Sequence, residues 1–470
     1  MWLRANIYLK YKERFIHLLV VVTIIGLLFS CKAEIDPPTL SAGDADFSSL
    51  VAIGGDFLAG YENGALSREG QQNSIPQLLS LQFNEVYSQL GELSKVSSFK
   101  QPLMPLGQGF GFNSKKWEGE FISPVTLGYK VDCEGVESLS PLKNILNLSV
   151  QSAGLQYLID GGYQNLAVPS AGMEDITDPN FGLHYSQGNS NPFYGKFASD
   201  PGTSTILQDA LNLSPTFSLI WVGMEDIYSY ASVGGYNKTI PSASAFSADL
   251  DAALAPLTST GGKGAIANIP ELTSFPFYTL VAWNRAELDQ NKADSLNKIY
   301  QGGGVSHINF AVGNNGFVID DSTQPFDIRQ MVAGEYVTLT VPLDSMRCFL
   351  YGLFVNVVHD RYALDTDEVQ IINTAISDYN VVIKQKAAEY NLAHVDMNSF
   401  FKTVEAGVKW NGVAYDAEFV SGGFYSLDGY HPNQQGYGML ANEFIKAINN
   451  QYSATVPTTN CMTCVGIRFP

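Results

Sequence analysis

The stretch "VAIGGDFLAGYENG", residues 51–64, decides how the rest of the chain is read. Leu50 to Ile53 is an apolar run that breaks at Gly54-Gly55-Asp56 and again at Ala59-Gly60-Tyr61. That pattern predicts a buried strand ending in a tight turn. Such a turn suits an attacking group, yet the residue it presents is Asp56, where a hydroxyl or a thiol is commoner.

Working outward, further strand-like runs occur at residues 165–168, 217–222, 265–269 and 392–395, each bounded by Gly, Pro, Asn or Asp. Helical patterns lie between them. In the last, Tyr437, Leu440, Ala441, Phe444, Ile445 and Ile448 recur at three- and four-residue steps and make one apolar face. Strands alternating with helices predict an α/β fold with a parallel sheet. Two stretches fit the alternation poorly: residues 97–160, and residues 280–360 with Gly302-Gly303-Gly304 and a strand-like run at 336–341. Both read as insertions. Loops at the carboxyl ends of parallel strands form the binding crevice, so insertions there shape access to a site. The triple glycine has no following Lys-Ser or Lys-Thr, so it reads as a flexible loop and not a phosphate cradle.

The composition is that of a globular chain: 470 residues, 45% hydrophobic, 16% charged. A net charge of -19 argues against nucleic acid or an anionic membrane surface as the main partner, because phosphates are repelled. At the N terminus, Arg4, Lys10, Lys12 and Arg14 precede an apolar run from Leu18 to Phe29, the pattern of a signal peptide over residues 1–30. The run ends in Leu28-Phe29-Ser30-Cys31, which resembles a bacterial lipobox, with Phe29 where a small residue is commoner. The resemblance implies a lipidated Cys31, a tether over residues 31–47 and attachment in the bacterial envelope, at the outer membrane. In that compartment disulfides persist. Cys461-Met-Thr-Cys464, in the tail at residues 451–470, reads as a plain disulfide, since one pair is half a zinc site and no thioredoxin-like context frames it. Cys133 and Cys348 are the other two.

Near the C terminus stands "GGFYSLDGYHPNQQGYGMLANEFIKAIN", residues 422–449. Asp428 and His431 are three apart in a loop just before a helix, so the carboxylate can orient one imidazole nitrogen while the other faces a substrate. This block resembles the last block of the SGNH or GDSL hydrolases, in which the Asp and His of D-x-x-H-P belong to a catalytic triad. "AIGGDFLAGY" resembles the first block of that family, "NLAVPSAG" from Asn165 the second, and "PTFSLIWVGMEDIYSYA" from Pro215 the third. The resemblance covers about residues 48–450. It implies a three-layer α/β/α fold with a flavodoxin-like parallel sheet, ester hydrolysis as the activity class, no cofactor or metal, and a lipid or carbohydrate ester as ligand.

The departures from the family are chemical. Aligned on Ala59-Gly60-Tyr61, the nucleophilic Ser of the family falls at Asp56 and its preceding Asp at Gly55; the Gly of the second block falls at Ser170, and the Asn that donates to the oxyanion falls at Glu225. A backbone donor survives at Ser170, but at Glu225 an acceptor replaces a donor. One lost oxyanion donor costs about 10²- to 10³-fold in rate, and a lost serine about 10⁶-fold in kcat. An ordinary serine esterase is therefore not expected. The residues leave several routes open: Asp56 as a covalent nucleophile with Asp428 and His431 driving water onto the ester, Asp56 and Glu225 as an acid–base carboxylate pair, metal capture by Asp56, Glu225 and His431, or a site altered or turned to binding.

Overall fold

Leu50–Gly54 (β1) is buried at every position, and a strand of that kind needs partners on both edges and cover on both faces. Phe217–Trp221 (β2) pairs with it in parallel, Leu50 opposite Phe217 and Gly54 opposite Trp221. Lys263–Ala267 (β3) and Ala393–Val395 (β4) continue the parallel sheet beyond β2. On the other edge of β1, the Leu166 N–H donates to the Ala52 carbonyl and the Val168 N–H to the Gly54 carbonyl, both at 2.9 Å. That edge segment is second in the chain, so the spatial order is 2-1-3-4-5, the doubly wound arrangement of flavodoxin-like folds. The computed structural model describes residues 39–470 except 108, 113–120, 144, 147–156, 159–160, 184–190 and 355. The expected signal peptide and Cys31 lie outside the described residues.

Helices cover both faces of the sheet. Ile75–Gln89 (α1) and Gln434–Tyr452 (α5) pack together on one side; Ala243–Thr258 (α3) and Thr366–Glu389 (α4) pack together on the other. The short helix Met224–Ala231 (α2) leaves the end of β2 and meets α4. Tyr437, Leu440, Ala441, Phe444, Ile445 and Ile448, the apolar face expected for the last helix, are all buried in the main core. This is the α/β/α sandwich expected from the sequence. Among the described residues no helix is long and apolar enough to cross a membrane.

Residues 40–47 and 454–461 pack more tightly than a tether and a tail would. Leu40 and Phe47 are buried, with Phe47 stacked on Phe83 at 3.9 Å between centroids, so the tether expected over residues 31–47 is packed chain from Leu40 onward. The apolar side chains among polar ones in that stretch form a short docking segment. After α5, Ala454, Val456 and Cys461 are buried against it.

The expected disulfide is also elsewhere. Cys461 and Cys464 are buried thiols, and the bond joins Cys133 to Cys348 across a sequence separation of 215. Burial, with Cys464 adding to it, pushes the Cys461 thiol up to about 12, so little reactive thiolate forms. Cys133 lies in the turn of the hairpin Thr126–Val131/Glu137–Leu142, and Cys348 ends the helix Leu343–Cys348. The bond thus ties one insertion to the other. Arg347 adds an ion pair to Asp132 at 2.6 Å and Lys130 another to Asp344. The second insertion buries a cluster of its own, including Leu296, Phe310, Val318 and Val337. Gly302 closes the helix Gln290–Gly302 inside it, and Gly303 caps that helix.

Candidate active site

In a doubly wound sheet, ligands bind where successive crossovers leave in opposite directions. Here that switch point lies at the carboxyl end of β1. From there the chain crosses to the edge segment and then back over β1 to β2. Asp56 follows β1, Ser170 follows the edge segment, and Glu225 follows β2.

Asp56 opens the single helical turn Asp56–Ala59, which Gly60 ends in the left-handed region at φ 81°. The turn holds Asp56 at 4% exposure, a severe environment for a carboxylate unless it is paired. One oxygen, Oδ1, accepts the Ser170 N–H at 2.8 Å. The other, Oδ2, lies 3.3 Å from His431 Nε2, an ion-pair distance without the alignment of a good hydrogen bond. Ser170 reaches its position with φ 64°, the left-handed region that favours glycine, and this conformation presents its N–H to the site.

His431 and Asp428 stand on the loop before α5. Asn433 caps that helix, accepting from the Gln435 and Gly436 N–H groups and donating through Nδ2 to the Gly423 carbonyl. The cap fixes where the loop must end. Asp428 Oδ1 accepts the Tyr430 and His431 N–H groups at 2.9 and 2.8 Å; Oδ2 accepts the Gly64 N–H at 2.7 Å and faces His431 Nδ1 at 3.0 Å. Burial alone raises the pKa of Asp428, but the His431 charge and these N–H donors outweigh it and hold the carboxyl below its usual range. The rings of Phe57, Tyr61 and Tyr430 surround the imidazole at centroid distances of 5.3, 5.0 and 4.9 Å.

Two carboxylates on opposite nitrogens set the charge of His431. Burial lowers its pKa; Asp428 and then Asp56 outweigh that and raise it to about 10. The shift favours the imidazolium, which has no lone pair to take a proton, and so weakens the ring as a general base.

Glu225 lies in the first turn of α2, where the helix dipole favours an acid, and is 5% exposed. It lies flat against the turn after β1. A β-carbon added at Gly55 would meet Glu225 Cγ at 2.7 Å and Oε1 at 3.1 Å. Its neighbour Asp226 accepts the Met173 N–H at 3.0 Å, and burial pushes that carboxyl up to about 6. Asp226 therefore anchors the loop that carries Ser170.

All five site residues expected from the sequence, Asp56, Ser170, Glu225, Asp428 and His431, thus collect at one end of the sheet. Three supporting groups were not anticipated. Gly64 supplies a backbone donor to Asp428, Asp226 braces the Ser170 loop, and Glu62, pushed by burial up to about 7, accepts Gln434 Nε2 at 2.8 Å beside the helix start. Glu62 and Gly64 lie within the stretch quoted first, but a backbone donor leaves no mark in side-chain identity. Among the described residues no group of three or more His, Cys, Asp or Glu side chains is arranged to hold a metal ion.

Residues 138–444 match the family described as GDSL-like Lipase/Acylhydrolase, more than half of the chain. The match takes in Ser170, Glu225, Asp428 and His431 and begins after Asp56, whose place in the site comes from the geometry above. Among curated proteins none matches.

Proposed function

Because the chain belongs to the GDSL-like lipase/acylhydrolase family, we propose that it is an envelope lipoprotein whose hydrolase site has been altered, so that it holds an ester-bearing lipid or carbohydrate without cleaving it by a serine route. One observation carries the reading. The Asp56 carboxylate takes up both the Ser170 N–H, where a developing oxyanion would sit, and the Nε2 edge of His431, where a nucleophile would give up its proton. The protein's own side chain stands where an acid product would rest. The imidazolium state of His431 and the acid at Glu225 support the same reading, since acyl transfer needs a neutral base and donors aimed at the oxyanion.

The same contact favours a second reading. Asp56 lies beside His431 at the end of β1, so a carboxylate nucleophile whose ester is later hydrolysed with Asp428 and His431 fits the geometry. Hydrolysis of a fluorogenic short-chain ester by wild type, Asp56→Ala, Asp56→Ser and His431→Ala separates the two. The altered-site reading expects no wild-type turnover above His431→Ala, together with saturable binding of candidate lipid or glycan esters. Wild-type turnover lost alike in Asp56→Ala and Asp56→Ser would establish Asp56 as a working carboxylate and overturn the first reading.

A further inference from the structure

His431 is 3% exposed and its neighbours Asp56 and Glu225 scarcely more, so a ligand reaches the crevice only if what covers it moves. Each insertion contributes a piece of that cover. From the first, Val125 and Leu127 pack on Leu427, and the Val125 N–H donates to the Asn63 carbonyl at 2.8 Å. A β-carbon added at Gly64, whose N–H binds Asp428, would meet Ile122 Cδ1 at 3.4 Å and Val125 Cγ2 at 3.7 Å. From the second, the Leu339 N–H donates to the Phe277 carbonyl and the Phe277 N–H to the Gly429 carbonyl, both at 2.8 Å. A β-carbon added at Gly429 would meet Leu339 Cδ2 at 3.1 Å. The loop that carries Asp428 and His431 is thus gripped by two segments far apart in sequence.

What joins the two pieces lies outside the core. Beyond Leu127 the hairpin Thr126–Val131/Glu137–Leu142 is exposed or half-buried throughout both strands. It reaches the helix Leu343–Cys348 through the Cys133–Cys348 bond and through ion pairs of Arg347 with Asp132 and of Lys130 with Asp344. Arg347 and Lys130 are 52% and 44% exposed, a setting in which ion pairs hold weakly. The covalent bond is the strong link. It spans a sequence separation of 215, so its loss returns conformational freedom to both segments. Cys133 is exposed and Cys348 half-buried, which leaves the bond open to attack by a thiolate from solution.

We infer that the two insertions form a two-part cover over the site and that the Cys133–Cys348 bond is its latch, opened by a dithiol reductant. Opening is a thiol–disulfide exchange. One thiolate of the reductant attacks a cysteine sulfur, the S–S bond breaks and a mixed disulfide forms; the second thiol of the reductant then displaces that cysteine. Both cysteines end as thiols with the two protons of the reductant, which leaves as a disulfide. Closing is the reverse exchange against a disulfide donor. The closed form is the resting one where disulfides persist. From the proposed function this takes only that the crevice receives a ligand.

Hydrogen-exchange mass spectrometry on the full chain tests the latch without any ligand, so its outcome is separate from whether the site binds or cleaves. Oxidised wild type is compared with wild type reduced by dithiothreitol and capped with iodoacetamide on Cys133 and Cys348, and with the double variant Cys133→Ser, Cys348→Ser. The capped form starts from folded protein, so the comparison stands even if the double variant folds poorly. Peptides covering residues 59–64 and 424–431 should exchange about tenfold faster once the bond is gone, with α1 and α3 unchanged. Unchanged exchange at the site overturns the latch. Equal acceleration in α1 and α3 also overturns it, because the bond would then be a staple of the whole fold. Arg347→Ala with the bond intact should change exchange at the site by no more than about twofold; an effect as large as loss of the bond would transfer the closing role to the ion pairs and overturn the assignment to the disulfide.

Discussion

Asp428 and His431 share one loop, whereas Asp56, Ser170 and Glu225 arrive from the ends of three different strands. The loop pair keeps a full set of supports: three backbone N–H groups on Asp428, a capped helix behind it and an aromatic enclosure around the imidazole. The strand-end group presents acids at two of its three positions, Asp56 and Glu225, and under the proposed reading these stand where an attacking hydroxyl and an amide donor would act. On that reading the two halves of the site differ in how freely their chemistry can change. A pair fixed by its own loop is also structural, because the ionised Asp428 and the helix start depend on it. A group assembled from separate segments can exchange one side chain while the others stay in place.

The largest expected effect tests whether the strand-end half alone blocks the chemistry. Asp56→Ser combined with Glu225→Asn should hydrolyse a fluorogenic short-chain ester well above the sum of the single variants, with Asp56→Ser alone trailing by about 10²- to 10³-fold for want of the oxyanion donor. A double variant equal to the sum of the singles would break the idea that the two positions serve one transition state. Next in size is the structural role of the loop half. His431→Ala removes the cation between Asp56 and Asp428 and should cost about 3–5 kcal/mol in urea unfolding, as breaking a buried pair does. Adding Asp56→Asn to it should recover part of that loss; a cost below about 1 kcal/mol would place the pair among weak surface contacts.

A pH series sharpens the comparison further. His431 is raised from an ordinary value near 6.5 to about 10, so its stabilisation is complete below about 6.5 and is lost as pH rises through about 10. Asp428 is held below its usual range, so its contribution is present above about 4 and lost as pH falls through its folded value. Glu62, raised to about 7, adds a separate loss as pH rises from about 4.3 toward 7. The difference in unfolding free energy between wild type and Asp56→Asn reports the Asp56 share of the His431 shift and should shrink as pH rises through about 10; a difference independent of pH would mean that Asp56 does not hold the proton on the ring. The smallest effect concerns Ser170. Its φ of 64° strains any residue with a β-carbon, so Ser170→Gly should stabilise by up to about 1 kcal/mol while keeping the N–H on Asp56. A loss of stability would show that the hydroxyl has a role of its own.

Much of this was legible because it is local. Buried strands announce themselves as short apolar runs, α5 by its three- and four-residue rhythm, and the Asp428–His431 pair by spacing within one loop. What was not legible depends on distance in sequence or on charge. Nothing near Cys133 marks Cys348 as its partner 215 residues away, and the closeness of Cys461 to Cys464 along the chain pointed to the wrong bond. Residues 40–47 carry too few apolar side chains to signal a docked segment, and only the neighbouring ends of α1 and α5 give Leu40 and Phe47 somewhere to bury. The protonation of His431 follows from two carboxylates meeting it from different segments, which no single motif contains.

Gly55 carries a consequence for how the site can be altered. Its lack of a side chain is what lets Glu225 lie against the turn, since a β-carbon there would sit 2.7 Å from Glu225 Cγ. A side chain at Gly55 therefore requires Glu225 to move aside or shorten. The two positions are coupled: a redesign that restores a donor at Glu225 also frees space at Gly55, and a serine at Asp56 is expected to restore little until Glu225 has gone.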